Sequence, residues 1–230
     1  TKAIEINPQF ASAYYNRGIA KNNSKDYQAA IADYNKAIAI NPQYASAYNN
    51  RGNAKRDLGD HQGAIADFNK AIEINPQDAY AYNNRAYAKS DLGDHGGAIV
   101  DFNKAIVINP QLAYTYYNRG IVKNVLQDYQ GAIIDYSKAI EINPQDADAY
   151  YNRGIAKQKS GENQGAISDY SKAIAINPQF AEAYANRSIT KETQGDMQGS
   201  CFDAKKAVSL GEQSTAQWLN SEEGAWCRNM

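Results

Sequence analysis

The chain has 230 residues, with 24 Lys and Arg against 25 Asp and Glu and a formal net charge of −1. That balance lacks the basic excess on which nucleic-acid and anionic-membrane binding rest. With a mean hydropathy of −0.67, no apolar run approaches the ~18 residues of a membrane span, which excludes an integral membrane segment. Two cysteines exclude a disulfide-built scaffold, and two histidines leave little for metal or acid–base work.

From the N-terminus onward the tripeptide Asn-Pro-Gln recurs at Asn7, Asn41, Asn75, Asn109, Asn143 and Asn177, always 34 residues apart. Numbering positions 1 to 34 from Ala11 gives six full repeats, at residues 11–44, 45–78, 79–112, 113–146, 147–180 and 181–214. Residues 1–10 match only the last ten positions of a repeat. They read as the remnant of a second helix whose repeat begins outside the sequence, so a longer native protein is expected. Residues 215–230 read as a capping helix and tail.

Inside each repeat, apolar or small residues at positions 3, 4, 8 and 10 make one helical stripe, and those at 20, 21, 24, 27, 28 and 30 make a second. The spacing predicts two helices, A and B. Between them lie Gly59-Asp60, Gly93-Asp94 and Gly195-Asp196. The glycine accepts the left-handed conformation that ends helix A, and the aspartate caps the open N–H groups of helix B. Lys25 and Gln127 stand in the glycine place, at a cost of about 1 kcal/mol each. Asn-Pro stops helix B. Small residues at position 8 (Gly18, Gly52, Ala86, Gly120, Gly154, Ser188) and at position 20 let the two helices approach closely. One pair cannot bury both stripes alone, whereas stacked neighbours can, which predicts an all-α solenoid. The sixth repeat decays at Cys201, Ala204 and Glu212. Beyond it, Ser214 to Trp226 is expected to form one capping helix, with Asn220, Ser221, Glu222 and Glu223 on its wet side.

The chain offers no catalytic constellation. His61 and His95 share position 17, without a recurring third ligand, and Tyr27 and Tyr129 hold that place elsewhere, so surface side chains are the expectation. No Gly-rich phosphate loop or paired-Cys zinc signature occurs. The expectation is therefore a non-enzyme with no metal and no cofactor. Cys201 reads as a buried core thiol; a bond to Cys227 requires the cap to fold back and is not the expected state.

Arginine at position 7 (Arg17 through Arg187) and lysine at position 11 (Lys21 through Lys191) put like charges four residues apart on every helix A. Each repeat also carries aspartate at position 23, from Asp33 to Asp203. One reading is a basic ribbon for phosphate or acidic peptides. The other, which the matched number of arginines and aspartates favours, is a structural charge lattice whose long stems cover apolar surface.

The repeat resembles the tetratricopeptide repeat. Repeat two runs Ala45-Ser46-Ala47-Tyr48-Asn49-Asn50-Arg51-Gly52 and continues Ala64-Ile65-Ala66-Asp67-Phe68 to Asn75-Pro76, placing a large residue at 4, small residues at 8, 20 and 27, an aromatic at 24 and proline at 32. Arginine at 7 and lysine at 11 depart from the family's large apolar and aromatic choices. The resemblance implies a right-handed superhelix, with a concave groove lined by helix A through positions 2, 5, 6, 9, 12 and 13. Position 6 is asparagine throughout: Asn16, Asn50, Asn84, Asn118, Asn152 and Asn186. An amide both donates and accepts, so it can bond a peptide backbone of any sequence. Asn49, Asn53 and Asn83, the tyrosines Tyr15, Tyr80, Tyr87, Tyr114, Tyr117 and Tyr151, and Ile19, Ile121 and Ile155 complete the candidate groove. The competing reading has the amides bonded to an adjacent helix and the tyrosines as wetted packing.

Family members that clamp a C-terminal carboxylate use lysine at positions 5 and 2 and arginine at 6. Positions 5 here are Tyr15, Asn49, Asn83, Tyr117, Tyr151 and Ala185, so that clamp is absent. With Asp148, Glu182 and Glu192 toward the C-terminal end, the implied partner is a neutral to weakly basic extended protein segment. The implied role is a protein–protein interaction scaffold. The alternatives are a self-associating array, hence a homo-oligomer, or the regulatory domain of a longer protein. Likeness to bacterial members implies a cytoplasmic or membrane-peripheral setting.

Overall fold

The computed structural model describes residues 2–228, which form two compact units, residues 2–111 and 112–228. The first unit holds α1 (Lys2–Ile6), α2 (Ala11–Asn23), α3 (Tyr27–Ile40), α4 (Ala45–Asp57), α5 (His61–Ile74), α6 (Ala79–Asp91) and α7 (His95–Ile108). The second holds α8 (Ala113–Val125), α9 (Tyr129–Ile142), α10 (Ala147–Lys159), α11 (Asn163–Ile176), α12 (Ala181–Thr193), α13 (Met197–Ser209), α14 (Gln213–Asn220) and α15 (Ala225–Arg228). Among the described residues there is no strand. Within each unit every A helix packs antiparallel on its own B helix, and that B helix packs on the next A.

The turns form for the reasons the sequence supplies. Gly59, Gly93, Gly161 and Gly195 take φ of 81 to 85°, and Lys25 and Gln127 are forced to 61 and 62° at the same place. The aspartate that follows caps helix B: Asp60 Oδ1 accepts from Gly63 N at 2.9 Å and Asp128 Oδ1 from Gly131 N at 3.0 Å. Glu162, the fifth repeat's substitute, makes no such bond. At the far end each Asn-Pro-Gln asparagine accepts from the glutamine N–H two residues on, as Asn41 does from Gln43 at 3.1 Å. This local bond competes with helix continuation. The small residue at position 8 faces the aromatic at 24: a Cβ added to Gly120 would lie 2.8 Å from Tyr136 Cε1, so glycine sets the helix spacing there.

The cations at positions 7 and 11 converge on the buried aspartate. In all six repeats the arginine grips both carboxylate oxygens of its own repeat's aspartate, and the lysine takes Oδ2. Arg85 Nε and Nη2 lie 2.8 and 2.6 Å from Asp101, and Lys89 Nζ lies 2.8 Å from it. The Asp101 side chain is 3% exposed. Position 7 prefers arginine because the guanidinium does three things at once. It forks onto Asp101, lies over the Tyr82 ring at 5.4 Å, and reaches Asn69 of the preceding B helix at 2.7 Å. Arg51 reaches Asn35, and Arg153 and Arg187 reach Ser137 and Ser171, in the same way. The basic-ribbon reading therefore fails: these cations are spent internally. Each aspartate also takes two cations, not the single arginine that the sequence count matched to it.

The C-terminal segment departs from expectation twice. The single helix expected from Ser214 to Trp226 is two, α14 and α15, broken at residues 221–224. Gly224 allows the fold-back, since a Cβ there would lie 2.7 Å from Leu219 Cα. Arg228 then donates to the Leu219 and Ser221 carbonyls, and Trp226 meets Trp218 edge-on at 5.9 Å. The return brings Cys227, fully buried, onto Cys201 of α13, and the two form a disulfide with Cα atoms 5.3 Å apart. Cys201 is thus not the free core thiol expected.

Replacing Asp101 by Ala leaves Arg85 and Lys89 partly buried and unpaired, and is expected to cost about 3 kcal/mol in denaturant unfolding. Glu73→Ala, which breaks only the exposed pair with Lys70, serves as the control and should change little. Acid should act through the clamp on Asp33. Burial alone would raise the Asp33 carboxyl, but the bonds and charges of Arg17 and Lys21 outweigh it and hold it below its ordinary range. Its contribution is complete above the ordinary aspartate value near pH ~4 and is lost as pH falls through the lower folded value. Melting temperature followed from pH 7 to pH 2 should therefore fall mainly below that point. Reducing the disulfide, or Cys227→Ser, reopens a loop of 26 residues and should destabilise the second unit by ~3 kcal/mol while leaving residues 2–111 protected in hydrogen exchange.

Candidate functional site

The candidate residues fall on the A helices, and the two units present separate rows: Asn16, Asn50 and Asn84 in the first, Asn118, Asn152 and Asn186 in the second. Position 5 packs on its own repeat's helix B, and the amide at position 6 reaches back across the repeat boundary to position 5 of the preceding repeat. Asn50 Nδ2 donates to the Tyr15 hydroxyl at 3.0 Å, Asn152 to Tyr117 at 3.0 Å and Asn186 to Tyr151 at 2.9 Å. Where position 5 is asparagine, Asn84 Nδ2 donates to Asn49 Oδ1 at 3.1 Å and its own oxygen accepts from Asn83 at 3.3 Å. The amides are half-buried, not sealed, and Asn16 is exposed. Among the described residues no protein group donates to the Oδ1 of Asn50, Asn152 or Asn186. The rows therefore present carbonyl acceptors whose orientation the neighbouring tyrosine fixes.

Tyr15 and Tyr151 are structural as well as surface residues. The Tyr15 ring lies 4.8 Å from that of Tyr44 and 6.0 Å from Tyr34; Tyr151 lies 4.7 Å from Phe180 and 5.9 Å from Tyr170. Tyr117 lies 5.8 Å from Tyr136. Burial raises the Tyr15 hydroxyl pKa, opposed by the Asn50 bond; burial and then the charge of Glu182 raise that of Tyr151. Both stay protonated at neutral pH, as hydroxyls that accept from asparagine. Behind them, burial pushes Tyr34 up to about 12.

The other candidates divide. Ile19 and Ile121 pack half-buried against Tyr34 and Tyr136, so position 9 belongs partly to the core. Ile155 and Asn53 are half-buried, with the Asn53 oxygen unbonded, and Asn83 is 5% exposed. Tyr80, Tyr87 and Tyr114 are the open aromatics. Sequence reasoning misses Arg56, whose guanidinium lies 4.8 Å over Tyr87; positions 12 and 9 of successive A helices carry that signal. His61 Nδ1 lies 3.4 Å from Asp91, and among the described residues no three His, Cys, Asp or Glu side chains gather to hold a metal. No helix among them is long and apolar enough to cross a membrane.

Comparison with known proteins gives a coherent result. The family description "Tetratricopeptide repeat" matches residues 11–44, 45–78, 79–112 and 147–180, and a second, "TPR repeat", matches 126–161. Comparison with curated proteins yields no match. Among solved structures, MamA is 30% identical with a TM-score of 0.67, over 72% of this chain and 96% of that one. YrrB, described as a TPR protein with an unusual peptide-binding site, is 21% identical with a TM-score of 0.68, over 86% of this chain and 98% of its own. PilF of Pseudomonas aeruginosa is 17% identical with a TM-score of 0.77, over 96% and 97%. The last two likenesses speak to the fold alone.

Tyr151→Phe removes the acceptor of the Asn186 amide. It is expected to cost about 1 kcal/mol in urea unfolding, with an unchanged slope against denaturant.

Proposed function

The chain belongs to the tetratricopeptide-repeat family, and from that premise we propose that it is a non-enzymatic scaffold that holds an extended segment of a partner protein along its A helices. The observation that carries this reading is the set of oriented, unbonded amide oxygens at Asn50, Asn152 and Asn186, half-buried beside tyrosine rings. An extended chain presents backbone N–H donors at regular intervals, and acceptors on successive helices ~10 Å apart can meet every third residue or so. Recognition of this kind asks little of the ligand's sequence. Because the cations of positions 7 and 11 are bound to aspartate, the face has no call on acidic ligands, and a neutral or weakly basic segment suits it. A cytoplasmic or membrane-peripheral setting belongs to the same proposal; a cytoplasmic one requires the Cys201–Cys227 bond to survive a reducing pool.

Self-association is the second reading. It is favoured by Val100 and Val107 on α7, which are 65% and 77% exposed. Light scattering separates the two: a constant monomer mass at high concentration removes self-association.

The main test is selection from a displayed random-peptide library with the intact chain and with an Asn50→Ala/Asn152→Ala/Asn186→Ala variant. Three lost bonds of about 1 kcal/mol each correspond to at least ~10-fold weaker capture. Retained helicity and a single cooperative melting transition show that the variant still folds. Equal enrichment by both chains would remove the amide rows as the binding element.

A further inference from the structure

At the end of the second unit, α12 and α14 enclose a cavity of about 160 Å³ lined by Ala185, Ser188, Ile189, Glu192, Ser214, Thr215 and Trp218. Its scale is that of a single side chain: an apolar protein cavity of about 150 Å³ accepts benzene. The lining is unlike the rest of the A-helix face. Ile189 is 52% exposed where Ile19 and Ile121, at the same position of other repeats, are tucked against core aromatics. Trp218 supplies a large aromatic wall, and it is held in place from behind by Trp226 and by the cluster containing the Cys201–Cys227 bond.

Two carboxylates stand near, and they differ. Glu212 is consumed: it caps α14, accepting from Ser214 N at 3.3 Å and Thr215 N at 2.5 Å, with the Ser214 hydroxyl at 2.8 Å. Glu192 has no ion-pair partner among the described residues, and the adjacent Lys191 is committed to Asp203 at 2.8 Å. Further acids lie on the same face at position 2, Asp148 in α10 and Glu182 in α12, both exposed. The field they set up is felt inside the packing, since the charge of Glu182 adds to burial in raising the Tyr151 hydroxyl.

We infer that this cavity is a specificity pocket for the side chain of a lysine or arginine in the bound segment. The aliphatic stem would lie along Ala185 and Ile189, and the cationic head would meet the Glu192 carboxylate beside the Trp218 ring. Charge complementarity carries the assignment. An apolar slot with an uncommitted carboxylate and an aromatic wall suits a group that is apolar along its length and positive at its tip. A neutral aliphatic side chain would fill the slot but leave Glu192 unpaired; an acidic one would be repelled. The inference rests on reading the A-helix face as a peptide surface and adds to it a fixed point: the partner segment carries a basic residue where it passes α12.

The experiment follows the indole N–H resonance of Trp218 in the intact, oxidised chain, assigned by comparison with Trp218→Phe. The probes are the N-acetyl methylamides of lysine, arginine and norleucine. Saturable shifts are expected with lysine and arginine, at least fivefold tighter than with norleucine, and Glu192→Gln should erase that preference while leaving the fold intact. The absence of saturation with either cation, or equal response to norleucine, would overturn the pocket. The Asn50→Ala/Asn152→Ala/Asn186→Ala variant separates this outcome from failure of the amide rows. It should keep the lysine-induced shift even if library capture is lost, and a chain that captures peptides without favouring basic residues retains the rows and loses the pocket.

Discussion

The structure depends on an aspartate buried between two helices and held by two cations. A carboxylate so placed is costly unless every oxygen is satisfied. Arginine and lysine from helix A satisfy it in all six repeats. The clamp fixes the angle and the register of each A–B pair, because a bidentate fork tolerates little displacement. The arginine's remaining arm extends the constraint to the preceding repeat in both units. Where the family usually places a large apolar residue and an aromatic at positions 7 and 11, this chain places the cations of a directional polar network. Small residues at position 8 and aromatics at position 24 then pack in the spacing that the clamp sets.

This arrangement determines what is left for function. With the helix A cations turned into the A–B interface, the opposite side of helix A carries amides, tyrosines and a few acids. Three of the amides are half engaged: the N–H groups of Asn50, Asn152 and Asn186 reach the preceding repeat, and their oxygens remain. On the proposed reading such a surface recognises a chain by its backbone and acquires side-chain preference only where a cavity interrupts it. At the C-terminal end Trp218 of α14 and the Glu192 carboxylate line such a cavity.

Much of this was legible in the sequence, for local reasons. The 34-residue period, the turn glycines with their substitutes Lys25 and Gln127, the capping aspartates and the aspartate lattice all rest on spacing within one repeat. Less legible were features decided by contacts between elements. Tyr15, Tyr117 and Tyr151 read as groove aromatics because position 4 already supplies a core ring. The structure shows them also stacking on helix B and accepting from asparagine, which sequence spacing within a repeat cannot reveal. The Cys201–Cys227 bond was recognisable only as the less expected state, because it needs a chain reversal at residues 221–224, where no proline or Asn-Gly pair announces a turn. There the break follows from the close approach of Gly224 to Leu219, a tertiary fact.

A double-mutant cycle on Arg85 and Asp101, using Arg85→Met, Asp101→Ala and the pair together, measures the clamp itself. If the directional network holds the repeat, the two changes are strongly non-additive, with a coupling of about 2 kcal/mol or more. Additive losses would mean that packing alone sets the helix pair and that the clamp contributes nothing of its own.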